Sequence, residues 1–216
     1  ILPQPPAPSP SSPTSMRLGL FGGSFDPVHR GHLTLAASCL AQAQLDRVWF
    51  VPAAHQPFKP TGPHASNVDR VAMLKLATAD NQAFEISQIE IDRGGVSYTI
   101  DTLLTIKSLL PESQLFLLMG ADSLIDFPHW RRPTEICEVA MPLVVNRAGE
   151  PAPNFDPLSE IVSSERLAKI QASQVEMPPM AISSSDIRHL IASGGEWEQM
   201  VPERVADYIR EHRLYL

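Results

Sequence analysis

No stretch of this chain approaches the roughly 20 consecutive apolar residues needed to span a bilayer. The first fifteen residues also lack the basic start and continuous apolar stretch of a signal peptide. A cytoplasmic protein without a membrane partner is therefore expected. Cysteine is scarce: Cys39 and Cys137 are the only two, both in helical patterns and outside any metal or redox spacing, so they read as reduced, buried thiols. Positive charge is also short. Lys and Arg number 17 against 24 Asp and Glu, a formal net charge of -7, which argues against the broad basic face of a general nucleic-acid binder. A single nucleotide is not excluded, because its site needs only a local cluster of donors. Aromatics make up 6%, yet 44% of the residues are hydrophobic, enough for one α/β domain with a real core.

Proline and serine dominate residues 1–15, which read as a disordered or polyproline-like extension that can be removed without loss of stability or activity. From Met16 to the C-terminus apolar strands and amphipathic helices alternate. Strands are expected at 18–21, 47–51, 84–91, 115–119, 143–145 and 175–177. Helices are expected at 29–40, 68–79, 99–110, 134–140, 160–170, 184–192 and 202–212, with a Pro-rich loop over 147–158. Repeated strand-then-helix units with short connections imply a single α/β domain over 16–216, a Rossmann-like, doubly wound parallel sheet with helices on both faces. Ligands of such sheets bind beyond the carboxyl ends of the strands, where the strand order switches. Gly22-Gly23, Pro52 and Gly120-Ala121-Asp122 all end strands, so they should converge on one crevice.

The most informative segment is Gly22-Gly23-Ser24-Phe25-Asp26-Pro27-x-His29-x-Gly31-His32. A buried strand, a glycine turn and a helix N-terminus bring free backbone N–H groups and the helix dipole to one small space, a geometry for phosphate. His29 and His32 are spaced to share a face of the first helical turn. Gly31 between them carries no side chain, which lets a ligand approach the backbone. No acidic or Cys ligand is spaced to complete a metal site with the two histidines. Farther on, Ile182-Ser183-Ser184-Ser185-Asp186-Ile187-Arg188 offers N-cap serines before an apolar-periodic helix, with Arg188 one turn in. The three serines lie in no Gly-x-Ser-x-Gly elbow, so a serine hydrolase is not indicated.

These two segments resemble the paired nucleotide motifs of the HxGH nucleotidyltransferase superfamily. With Ser97-Tyr98-Thr99-Ile100-Asp101-Thr102-Leu103 and Gly120-Ala121-Asp122-Ser123-Leu124, the resemblance narrows to bacterial nicotinate-nucleotide adenylyltransferase, from about Met16 to the C-terminus. It implies adenylyl transfer from ATP, accompanied by Mg²⁺, to nicotinate mononucleotide, giving deamido-NAD and pyrophosphate. It further implies that His29, His32 and Arg188 act on the ATP phosphates, and that Gly22, Gly23, Ser24, Phe25, Lys59, Asp122, Ile182, Ser183 and Ser184 bind ATP. Ser97, Thr99 and Trp130 would hold the pyridine, its carboxylate met by backbone N–H groups near 97–99 and before Trp130 without a Lys or Arg. At 56–59 the chain departs from the family's Pro-Pro-His-Lys run, reading Gln56-Pro57-Phe58-Lys59, so the family's His is missing there. His64, His129, His189 and His212 lie outside the motifs and read as structural or surface residues. The competing readings are an adenylyltransferase with a nicotinamide mononucleotide or phosphopantetheine acceptor, and a non-catalytic nucleotide sensor. The sequence leaves a homo-oligomer open.

Overall fold

The computed structural model describes residues 15–57 and 62–216. Strands β1 (Arg17–Gly23), β2 (Arg47–Pro52), β3 (Phe84–Ile86), β4 (Gln114–Gly120), β5 (Ala140–Arg147) and β6 (Val175–Met177) form one sheet in the order β3-β2-β1-β4-β5-β6. Every pairing is parallel. The helices are α1 (Arg30–Gln42), α2 (Asn67–Thr78), α3 (Ile89–Arg93), α4 (Thr99–Leu109), α5 (Ser123–Asp126), α6 (Pro133–Val139), α7 (Asp156–Ser159), α8 (Ser164–Ala172), α9 (Ser184–Ser193) and α10 (Glu203–Glu211).

The alternation of side chains along β4 shows why both faces are covered. Phe116 and Leu118 join a core with Ala36 and Cys39 of α1, Met73 and Leu74 of α2, Ile187 of α9 and Val205 of α10. Leu115, Leu117 and Met119 point the other way, into a second core with Ile100 and Leu103 of α4, Ile136 of α6 and Ile170 of α8. Burial pushes the Cys39 thiol up to about 12 and the Cys137 thiol up to about 11, so both stay protonated within these cores.

The expected doubly wound sheet is present, with local differences. β3 stops at Ile86, and the alternating residues beyond it form α3 instead of continuing the strand. Ser87 N–H still donates to Phe50 O, but β2 ends at Pro52 and offers no further ladder. The expected loop over 147–158 contains α7, with Pro157 in its first turn, where its missing N–H costs nothing. The next helix starts later than expected, at Ser164, because Ser163 accepts from Arg166 N–H and caps it. The extension reading for residues 1–15 falls, for residues 1–14, outside the described residues. No described helix is long and apolar enough to cross a membrane.

Candidate active site

β1 and β4 lie side by side at the centre of the sheet, and their connections run to opposite faces, so a crevice opens at their carboxyl ends. Two cavities occupy it. The first, about 660 Å³, is lined by Ser24, His29, His32, Arg147, Ser184 and Arg188 among others. The second, about 800 Å³, is lined by Ser97, Tyr98, Thr99, Trp130, Arg131 and Glu90 among others. They share Gly23, Gln56 and Gly120.

In the first cavity the two histidines cap α1 reciprocally. His29 is the N-cap and its Nδ1 accepts from His32 N–H at 3.4 Å, while His32 Nδ1 accepts from His29 N–H at 3.2 Å. The rings stack with centroids 3.7 Å apart. His32 also packs edge-on against Phe25, at 5.0 Å between centroids. With each Nδ1 placed as an acceptor, Nε2 is the ring atom that each histidine can turn to a ligand as a donor. Burial, reinforced by the Arg147 charge, lowers the His29 pKa to about 4, so the ring is neutral near pH 7. The two histidines thus stand side by side at the first turn, His29 as the cap and His32 as the third helical residue. Gly31 lines this cavity, and the glycine has a second reason to be there. A Cβ there would lie 3.0 Å from His29 Nδ1, so the glycine makes room for the imidazole.

The second nucleotide motif docks on the first. Ser183 caps α9 by accepting from Asp186 N–H, and Ser184 Oγ donates to Pro27 O. Arg188 Nη1 donates to Asp26 O at 2.6 Å. Beneath this loop, the fully buried Arg70 donates to Ser24 O and Ala53 O, joining the turns that follow β1 and β2.

The structure brings most of the sequence-named residues together. Gly23, Ser24, Phe25, His29, His32, Asp122, Ile182, Ser183, Ser184 and Arg188 line the first cavity, and Ser97, Thr99 and Trp130 the second. Gly22 is placed on the second cavity rather than the first. Asp122 stands at the rim, 85% exposed, with its carboxylate 3.9 Å from Arg147. Lys59 lies outside the described residues. Ser97 Oγ accepts from Ala54 N–H, and its own N–H donates to His55 O, so Ser97 also pins the loop after β2. Trp130 N–H is likewise engaged, by Phe127 O.

His64 and His129, read as structural or surface residues, also line the cavities. His64 lines the first cavity with Nδ1 3.4 Å from Asp26 Oδ2, and His129 lines the second. Sequence reasoning missed Arg147, at the end of β5, and Arg131, whose guanidinium lies 4.7 Å over the Tyr98 ring. A cation ending an apolar strand was a legible signal for Arg147; nothing local marked Arg131.

A family model described as cytidylyltransferase-like matches residues 20–190. A "Probable nicotinate-nucleotide adenylyltransferase" of Rhodopirellula baltica is 40% identical over 92% of this chain and 92% of that relative. A Synechococcus protein of the same name is 40% identical over 96% of this chain and 99% of its own length. The chain belongs to the nicotinate-nucleotide adenylyltransferase family. It is thus a nucleotidyltransferase, an enzyme. At the level of fold, it resembles Plasmodium falciparum nicotinic acid mononucleotide adenylyltransferase complexed with APC, with TM-score 0.69, 16% identity and coverage of 93% and 97% of the two chains. The same protein complexed with NaAD superposes with TM-score 0.69 at 17% identity.

Proposed function

We propose that this enzyme transfers the adenylyl group of ATP to nicotinate mononucleotide, giving deamido-NAD and pyrophosphate in NAD biosynthesis. The observation that carries this reading is the pair of adjoining cavities, one rich in imidazole, guanidinium and hydroxyl donors, the other aromatic and part-apolar. ATP occupies the first and the pyridine mononucleotide the second, so the α-phosphate and the attacking phosphate meet near Gly23 and Gly120.

The attacking oxygen belongs to a phosphate with a second pKa of about 6, so it is ionised at neutral pH and needs no general base. It forms a new P–O bond to the α-phosphorus as the bridge to the β-phosphate breaks, and pyrophosphate leaves with the electron pair. The protein's work is to align the two anions and stabilise developing charge. Nε2–H of His29 and His32 donate to the phosphates, His32 at the transferring α-phosphate, while Arg188 and the start of α9 hold the β- and γ-phosphates. Asp122 at the rim meets the adenosine.

Magnesium accompanying ATP would supply charge neutralisation on the phosphates, beside the donors from His29, His32 and Arg188. Among the described residues no three His, Cys, Asp or Glu side chains cluster as a cage, and the Asp26 carboxylate already accepts three hydrogen bonds.

In the second cavity Trp130 stacks on the pyridine. The substrate carboxylate faces the first turn of α4, which starts at Thr99 without a side-chain cap; the Arg131 guanidinium on the same cavity adds a cation that the sequence reading had not called for. Pyrophosphate release from ATP, measured separately with nicotinate and nicotinamide mononucleotides, tests the reading. A clear preference for the acid is expected, because the amide leaves N–H donors unpaired at about 1–3 kcal/mol each. Equal kcat/KM values would overturn the acceptor assignment.

A further inference from the structure

The penultimate residue of the chain reaches into the nucleotide loop. Tyr215, whose backbone sits at φ 67°, donates its hydroxyl to Asp26 Oδ1 at 2.8 Å. Asp26 is 3% exposed. Its other carboxylate partners are Ala65 N–H at 3.0 Å, His64 N–H at 2.7 Å, and the His64 ring.

Two guanidinium groups flank this buried anion. Arg70 is held in place by Ser24 O, Ala53 O and Asn67 Oδ1. Arg188 is tethered by Asp26 O and Ser185 Oγ, and its Nη1 makes only a long ion pair with Asp26 Oδ2, at 4.0 Å and without a hydrogen bond to the carboxylate. A buried carboxylate deprived of a donor is costly and draws in the nearest cation able to move. Here that cation is Arg188, which lines the cavity proposed for ATP.

We propose that Tyr215 is a positioning residue for the ATP cavity: by satisfying Asp26, it keeps Arg188 turned toward the nucleotide instead of folded onto the Asp26 carboxylate. The hydroxyl is suited to a permanent donor's role. Burial, together with the adjacent Asp26 charge, pushes its pKa far above the ordinary tyrosine value, so it stays protonated at any working pH. The bond joins residues 189 positions apart in sequence, so it ties the segment after α10 to the first nucleotide motif.

The inference rests on the ATP reading of the first cavity; turnover by the wild-type enzyme tests that reading, and a double-mutant cycle tests this one. Tyr215→Phe, Arg188→Ala and the double variant are assayed well below their melting temperatures. Tyr215→Phe is expected to raise KM for ATP by roughly five- to tenfold, the scale of coupling between side chains that share a network. KM for the mononucleotide should not change. In the Arg188→Ala background the same substitution should add nothing. Calorimetric titration with ATP gives a second reading that needs no turnover. An unchanged KM for ATP, an equal rise for both substrates, or effects that simply add would each overturn the proposal, since a purely structural tyrosine produces one of those patterns.

Discussion

Ser184 Oγ donates to the carbonyl oxygen of Pro27 at 2.9 Å, across 157 positions of sequence. This bond fixes the start of α9 against the loop that leads into α1, so the two nucleotide motifs form one wall of the cavity. Ser184→Ala removes about 1 kcal/mol of hydrogen bonding. The melting temperature should fall by about 2–4 °C for a domain of this size, and KM for ATP should rise. Calorimetry and initial rates check both; an unchanged KM would show that the wall does not depend on this contact.

The stacked histidines carry the heaviest catalytic expectation. His32→Ala should lower kcat by roughly 10²–10³, the loss of one preorganised donor to developing charge. Circular dichroism verifies that the variant is folded. A folded variant with near-normal turnover would remove His32 from the mechanism.

His29 makes stability pH-dependent. Its pKa falls from 6.5 in the free side chain to about 4 in the folded protein, through burial first and Arg147 second. Between those values the unfolded chain binds a proton that the folded chain refuses. Stability therefore rises with pH across the window and is lost on acidification from 6.5 toward 4, by on the order of 3 kcal/mol. His29→Asn keeps an N-cap side chain and should flatten the profile. Urea midpoints from pH 7 to 4.5 compare the two proteins, and parallel curves would contradict the assignment.

Gly31→Ala separates helix propensity from function. In an ordinary helix alanine would be favoured over glycine by about 1 kcal/mol. Here the added Cβ would press on the His29 ring from 3.0 Å. We expect no gain in melting temperature and a fall of roughly tenfold or more in kcat/KM for ATP, since small misplacements of reacting groups are expensive. A stabilised, fully active variant would refute this.

Trp130 packs on Phe127 at the edge of the second cavity, with ring centroids 5.1 Å apart. Trp130→Ala should raise KM for nicotinate mononucleotide by about tenfold, the worth of one aromatic stacking partner, with kcat largely kept. A fall confined to kcat would move the indole from binding to chemistry.

Much of this protein was legible in its sequence because the signals are local. The apolar run 18–21 before Gly22-Gly23, the Ser183 cap and the strand-then-helix rhythm each depend on neighbours a few residues away, and the structure forms β1, α9 and the parallel sheet accordingly. Tertiary structure decided what distant backbone supplies. Alternation through 91 suggested a longer strand, but β2 has no ladder beyond Pro52, so Ile89–Arg93 is helical. Asp26 stood in a motif with no partner in view; its donors come from His64, Ala65 and Tyr215, and Arg188 takes its carbonyl. Arg147 was marked locally as a cation ending an apolar strand, but that it shares a cavity with His29 and Arg188, and that Arg131 joins Ser97 and Trp130, follows from parallel crossovers that gather separate segments at the carboxyl edge of the sheet.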